Sequence, residues 1–320
     1  MFKTLICSAA VLAASLAPAA AAFPDRPLRI VSGSAAGGSS DFVGRVVADA
    51  VGTIFGQRIV VENRTGVNGV LGAEAVVNSP ADGYTTFVCP MSTATITPQL
   101  LGARMPVDPG TDLGPVAVVT MSSYGLVVRA ESPYRSLNDI VEAARRRPGE
   151  LTYASPGVGS AQHLGGELLK QLTRTDISHI SFRGAAPAML EILAGRIDFS
   201  MTNLGDAVGH IQGGRLRLLG IADGTPSPIF PEARPLAESV PGLEVVGWFG
   251  ICARRDIPAE ALARWTDGIR QALADETVRE RIVAGGMTPH FEDTATFQRR
   301  MTADRENWLR VIQAVNIRAD

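Results

Sequence analysis

The chain has 320 residues, 46% of them hydrophobic, and carries 30 Lys and Arg against 32 Asp and Glu for a net charge of -2. That balance argues against a nucleic-acid partner, and the length admits a large core in two lobes as readily as in one. The basic residues are scattered except for Arg145-Arg146-Arg147, which closes a helical pattern before Pro148 and so puts cations at a helix C-terminus.

In chain order, residues 1–22 read as a secretory leader: Lys3, an apolar run from Leu5 to Leu16, and Ala20-Ala21-Ala22 as a small-residue cleavage site. The expectation is a mature, soluble chain from Phe23 in the periplasm, without a lipid anchor because Cys7 lacks the lipoprotein context. No later run reaches the roughly 18–20 uninterrupted apolar residues of a membrane span. Cys89 and Cys252 then remain, open either to a bridge in an oxidising compartment or to two buried thiols in apolar strands.

From there β-rich runs alternate with helical patterns, the signature of an α/β architecture with largely parallel sheets. Strands are predicted at 28–32, 58–62, 85–89, 114–120, 125–129, 151–154, 179–182, 197–201, 216–222 and 245–253. Helices are predicted at 40–55, 69–78, 136–147, 160–173, 186–194, 204–213, 258–274, 276–285 and 294–315. Two stretches about 120 residues apart share one plan, "VSGSAAGGSSDFVGRVVADAV" and "YASPGVGSAQHLGGELLKQL": strand, Gly/Ser loop, amphipathic helix. A helix start presents unpaired N–H groups at a partly positive pole, glycine lets backbone approach a ligand, and serine adds a hydroxyl. The pair therefore reads as two anion-binding loops, one per lobe. Ser39 or Ser40 is expected to cap the first helix and Ser160 the second. Valine at Gly38 or Gly159 is expected to intrude on the ligand.

Enzyme motifs are missing. "GVGSAQ" at 157–162 starts like a dinucleotide fingerprint but has Gln162 at the third glycine position. There is no Gly-x-Ser-x-Gly elbow, no His-Glu-x-x-His and no phosphate loop. His163, His179, His210 and His290 have no metal-ligand spacing, so no metal or cofactor is expected. His163 reads equally as a ligand donor or a fixed structural histidine.

Eight segments, in order, resemble the solute-binding proteins of bacterial tripartite tricarboxylate transporters, the Bug family. They are "FPDRPLRI" (23–30), "AAGGSSD" (35–41), "GQRIVVENRTGVNGVLGAEAV" (56–76), "PADGYT" (80–85), "RPGELTYASPGVGSAQHLGGELLK" (147–170), "FRGAAPAMLEILAGRIDF" (182–199), "IQGGRLRLLGIA" (211–222) and "GWFGICA" (247–253). The resemblance implies a two-lobed α/β Venus flytrap of the periplasmic-binding-protein type, type II-like, with two interlobe crossings near 121–124 and 247–248. Lobe 1 would comprise 23–122 and 248–320, and lobe 2 residues 123–247. It implies a small organic acid held mainly by main-chain groups and hydroxyls, delivery to membrane subunits of the transporter, and a monomer. The implied site is Ala36, Gly37, Gly38, Ser39 and Asp41, then Ser92 and Thr93, then Ser155, Gly157, Gly159, Ser160 and His163, then Gly184, Ala185 and Pro187. Asp41 reads mainly as structural, and Trp248 and Phe249 as cleft lining or core. Four positions depart from the family pattern: Gly33-Ser34 replace a proline and an aromatic residue, Ala94 a histidine, and Thr202, also placed at the site, an acid. A sensor subunit presenting the same ligand to a receptor is the alternative reading, and an exported hydrolase using Ser160 or Ser92 with His163 is a third.

Overall fold

β-Branched runs with buried side chains form the strands, and stretches with one apolar face form the helices that cover them. The structure, a computed structural model, describes residues 23–315; the leader expected at 1–22 lies outside them. In chain order the elements are β1 (Leu28–Ser32), α1 (Ser39–Phe55), β2 (Ile59–Asn63), α2 (Val70–Val77), β3 (Thr85–Pro90), α3 (Thr97–Leu101), α4 (Pro109–Asp112) and β4 (Leu113–Arg129). Then come α5 (Leu137–Arg146), β5 (Thr152–Ser155), α6 (Ala161–Thr173), β6 (Ser178–Ser181), α7 (Ala185–Leu193), β7 (Ser200–Asn203), α8 (Leu204–Gln212) and β8 (Leu216–Ile221). The chain closes with β9 (Val246–Arg254), α9 (Ala259–Ala272), α10 (Glu276–Ala284), β10 (Thr288–Glu292) and α11 (Thr294–Val315).

The first sheet runs β10-β4-β9-β3-β1-β2. Only β1 with β2 and β1 with β3 are parallel; β3–β9, β9–β4 and β4–β10 are antiparallel, so this sheet is mixed where the alternation of elements predicts a largely parallel one. The reason is the return of the chain: β9 comes back from the second lobe alongside the outgoing β4 and must run against it. β4 itself is one strand of 17 residues where sequence suggests two. It pairs with β9 from Leu113 to Ser123, then with β7 from Tyr124 and with β8 from Gly125. The outgoing crossing is thus made inside an unbroken strand. In the second lobe β5 lies parallel to β6 and reaches the β7 segment through a Tyr153–Phe199 bridge.

Helices cover both faces of each sheet. α1, α9 and α10 enclose Val43, Val47, Val51, Trp265, Ile269 and Ile282 on one face of the first sheet. α2 and α11 bury Ala73, Val76, Phe297, Met301 and Trp308 on the other, in a core that continues through β4 into the second lobe. α7 and α8 close the far face of lobe 2 over Val127, Ala154, Met189, Ile192 and Ala207. Cys89 and Cys252 are buried free thiols on adjacent strands. Cys89 stands opposite Gly250 and Cys252 opposite Phe87, so the two are diagonal neighbours; burial and the adjacent Cys89 push the Cys252 thiol well up.

Candidate functional site

Loops from the carboxyl ends of β1, β2, β3, β5, β6 and β7 meet between the lobes around a cavity of about 680 Å³. This is the position where α/β sheets collect ligands, and the volume lies in the range of small-molecule pockets.

The first loop is built from below. Asp41 accepts from the Gly37 amide at 2.9 Å, from Asn63 Nδ2 at 2.8 Å and from Arg45 Nε at 2.9 Å, while its own amide donates to Ser34 Oγ at 3.2 Å. Burial alone would push its pKa up, but the Arg45, Gly37 and Asn63 bonds together outweigh it and hold the carboxyl below its usual value. Asp41 thereby fixes the Ser34–Gly38 turn and lies outside the cavity wall, as do Ala36 and Gly37; Gly38 lines it. Gly38 is also the N-cap of α1, with extended backbone and no side-chain cap, so the expected cap by Ser39 or Ser40 is not made. Ser39 is already the first helical residue. Its amide and its hydroxyl both donate across the cleft to Asp206 Oδ1, at 2.9 and 2.8 Å, and the hydroxyl is 3.2 Å from Asn203 Oδ1. The α1 pole is therefore met by a carboxylate of the protein itself, in the first turn of α8. Burial pushes the Asp206 pKa up against these two bonds.

The second loop is held by its own side chains. Ser160 caps α6 as expected, accepting from the His163 amide at 3.1 Å, and donates to the Gly157 carbonyl at 2.7 Å. Ser155 Oγ accepts from the Gly157 amide at 3.2 Å and lies 2.7 Å from His179 Nε2. The Gly159 amide donates to His163 Nδ1 at 3.3 Å, which makes that nitrogen an acceptor and the ring neutral. The His163 ring stacks on His179 at 4.2 Å, and His179 on Tyr153 at 4.8 Å. Of this loop Gly157, with Pro156 and Val158, lines the cavity, whereas Ser155, Gly159, Ser160 and His163 form the scaffold behind it. The Gly159 carbonyl points the other way and accepts from Asn68 Nδ2 at 3.2 Å and Thr97 Oγ1 at 3.3 Å, both in lobe 1.

A third helix start also faces the space. Gly184, at φ 119°, is the N-cap of α7 and has no side-chain cap; Arg183, Gly184, Ala185 and Ala186 line the cavity, and Pro187 lies behind them. Opposite stand Ser92 and Thr93, which follow β3 in a wide turn over Ser92–Ile96 that periodicity does not predict. Thr93 donates to the Asn68 carbonyl at 2.8 Å. Thr202 is buried in β7 opposite Gly125 and away from the wall. Phe249 lines the cavity, while Trp248 packs edge-on against Phe297 and donates to Asp304 at 2.6 Å. The lining residues that sequence reasoning passes over are chiefly Thr65 to Gly69, Asn203 and Asp206. Asn203 and Asp206 carry a signal only as a helix cap and a first-turn acid.

Ser160 is not set up as a nucleophile with His163. Ser160 spends its hydroxyl on Gly157, the His163 ring serves Gly159, and neither lines the cavity. Among the described residues no group of three or more His, Cys, Asp or Glu could hold a metal ion, and no helix is long and apolar enough to cross a membrane.

Burial lowers the pKa of both His163 and His179 to about 4. For a base depressed in the folded state, the unfolded chain binds the extra proton between about pH 6.5 and 4. Stability is then complete above about pH 6.5 and is lost as the pH falls toward 4, by roughly 3 kcal/mol for the buried His163 and less for the half-exposed His179. Melting measured from pH 7 to 4 should show this decline, and His179→Phe, which keeps an aromatic ring in the stack, should flatten it. The His163 share should remain, and an unchanged slope in the variant would rule out His179 as a contributor.

The sequence pattern of the tripartite tricarboxylate transporter family receptor, TctC, matches residues 43–317. The chain belongs to the TctC family. A relative, a UPF0065 protein of Bordetella bronchiseptica, is 31% identical over 321 residues, covering 99% of this chain and 94% of its own. Among solved structures, R. palustris Rpa4515 with adipate superposes with a TM-score of 0.89 at 29% identity, over 92% of this chain and 99% of that one. MatC (Rpa3494) from Rhodopseudomonas palustris with bound malate gives 0.83 at 26% identity, over 91% of this chain and 100% of that one. The two-lobed fold expected from the sequence is thus the fold of this TctC protein, and its family is one of solute receptors.

Proposed function

We propose that the chain is an exported receptor that captures a small organic acid between its lobes and delivers it to the membrane subunits of a tripartite transporter, without covalent chemistry. The carrying observation is the interlobe cavity, lined from both sides by loop backbone and hydroxyls, with the uncapped start of α7 and the exposed Arg183 on its wall. An uncapped helix start favours an anion, and the Ser92 hydroxyl can donate to its oxygens. The adipate and malate of the two structural neighbours are acids of a size that such a space accepts. We assign residues 23–122 and 248–315 to lobe 1 and 123–247 to lobe 2, with Gly38, Ser92, Thr93, Gly157, Gly184 and Ala185 as the part of the site that touches ligand. Leader and family together support a periplasmic location.

The test is a thermal-shift and calorimetric screen of the mature chain against dicarboxylates, hydroxy acids, aromatic acids and amino acids. A ligand at about 100 times its Kd adds about 2.7 kcal/mol, which at about 2–4 °C per kcal/mol raises Tm by about 5–10 °C. No shift and no heat with any acid would overturn the proposal.

A further inference from the structure

We propose that Asp206 selects a ligand carrying an ammonium group beside its carboxylate, in preference to a plain diacid; this rests on the carboxylate-receptor reading above. Asp206 lines the cavity. Both Ser39 bonds end on its Oδ1; Oδ2 accepts no hydrogen bond among the described residues and opens on the cavity. No cationic side chain stands beside it: its environment consists of burial and the two Ser39 donors. The wall therefore holds a carboxyl group with a free oxygen and no counterion, and burial disfavours its ionised form until a cation pairs with it. A second carboxylate or a neutral hydroxyl brought there supplies no such cation. An ammonium group pairs with it and supplies the missing donor.

The other end of the wall is chemically opposite. Arg183, Gly184 and Ala185 belong to the β6–α7 loop, tied to the second loop by the Gly184 amide at 3.1 Å from the Pro156 carbonyl, and share no hydrogen bond with the Ser39–Asn203–Asp206 group. Arg183 makes no ion pair among the described residues and lines the cavity. A cavity with a lone cation and an open helix start in one loop and a carboxyl without a counterion in another matches a molecule with one charge of each sign.

The experiment measures affinities of the mature chain for three sets of probes of equal backbone length: succinate with 4-aminobutanoate and L-aspartate, glutarate with 5-aminopentanoate and L-glutamate, and adipate with 6-aminohexanoate. The expected result is at least one set in which an amino acid binds about tenfold or more tightly than its diacid, a preference that Asp206→Asn abolishes while diacid affinity stays level or rises. Diacids equal to or tighter than their amino partners in every set would overturn the role of Asp206 and leave the carboxylate reading standing. Retention of the preference in Asp206→Asn would overturn that role equally. Silence from every probe and from the wider acid screen would overturn both. The wild-type ranking decides between these outcomes even if the variant melts early.

Discussion

Gly159→Val is expected to weaken ligand binding by about 100-fold or more while both lobes stay folded. The residue sits at φ 82°, where a Cβ would lie 3.4 Å from Thr97 Cα and 3.4 Å from Leu100 Cδ1, both across the cleft in lobe 1. A β-branched side chain at such a φ costs about 1–3 kcal/mol, so the loop relaxes and carries its carbonyl away from Asn68 and Thr97. Each lost bond removes about 0.5–1.5 kcal/mol from the closed arrangement, and the valine methyls stand between the approaching surfaces. Together these exceed the roughly 2.7 kcal/mol that a 100-fold change represents. The sequence places this side chain in the ligand's space; the structure places it between the lobes, so the loss arises from closure. Calorimetry on the variant, with circular dichroism to confirm folding, checks it, and near-native affinity would show that the Gly159 contact does not matter to closing. Asn68→Gly, which removes one donor and tolerates the left-handed backbone at φ 51°, should cost about a tenth as much in affinity, roughly tenfold.

Gly166→Ala should produce the largest loss of stability. A Cβ at this position in α6 would overlap the Tyr153 ring, which is fully buried, donates to Glu167 at 2.7 Å and stacks on His179. The ring cannot retreat, because Phe199 stacks at 5.8 Å from it. Overpacking of this kind costs typically about 1–3 kcal/mol and occasionally more, which predicts a fall in Tm of about 2–12 °C. Because Tyr153, His179 and His163 form one column behind the Gly157–Ser160 loop, ligand affinity should fall with it. Gly209→Ala is the control: nothing stands within 4 Å of a Cβ there, and on α8 it should be neutral or stabilise by about 0.5–1 kcal/mol. A melting point for Gly166→Ala within about 1 °C of the parent would contradict the packing argument.

What can be read without coordinates follows from locality. β1, α1 and the C-terminal helices announce themselves through periodicity, and the Gly/Ser loops through composition; each lies within a residue or two of its expected span. β10 is hidden because "TPHFE" mixes a proline, a histidine and a glutamate, and owes its strand form to pairing with β4. The wide turn at Ser92–Ile96 looks like a plain polar segment. Asp206 is the instructive miss. Seen along the chain it is a first-turn acid of α8, a role that accounts for it fully; only the fold brings it 2.8 Å from a serine 167 positions away. Ser160 and His163 err in the other direction: chemistry-bearing residues in a suggestive loop turn out to hold that loop together. Side chains that build a site and side chains that face it have the same local signature.

The β4–β9 ladder, which shifts register between Pro115 and Ala117 and between Val118 and Thr120, has a mechanical consequence where it approaches the second lobe. Its rungs continue through Met121–Trp248, Ser122–Gly247 and Ser123–Val246 to the point where β4 exchanges partners. Two strands tied by successive hydrogen bonds yield out of their plane and resist sliding along it, so this ribbon works as a leaf spring. Any relative motion of the lobes is then expected to bend this ribbon out of its plane and to keep its rungs in register.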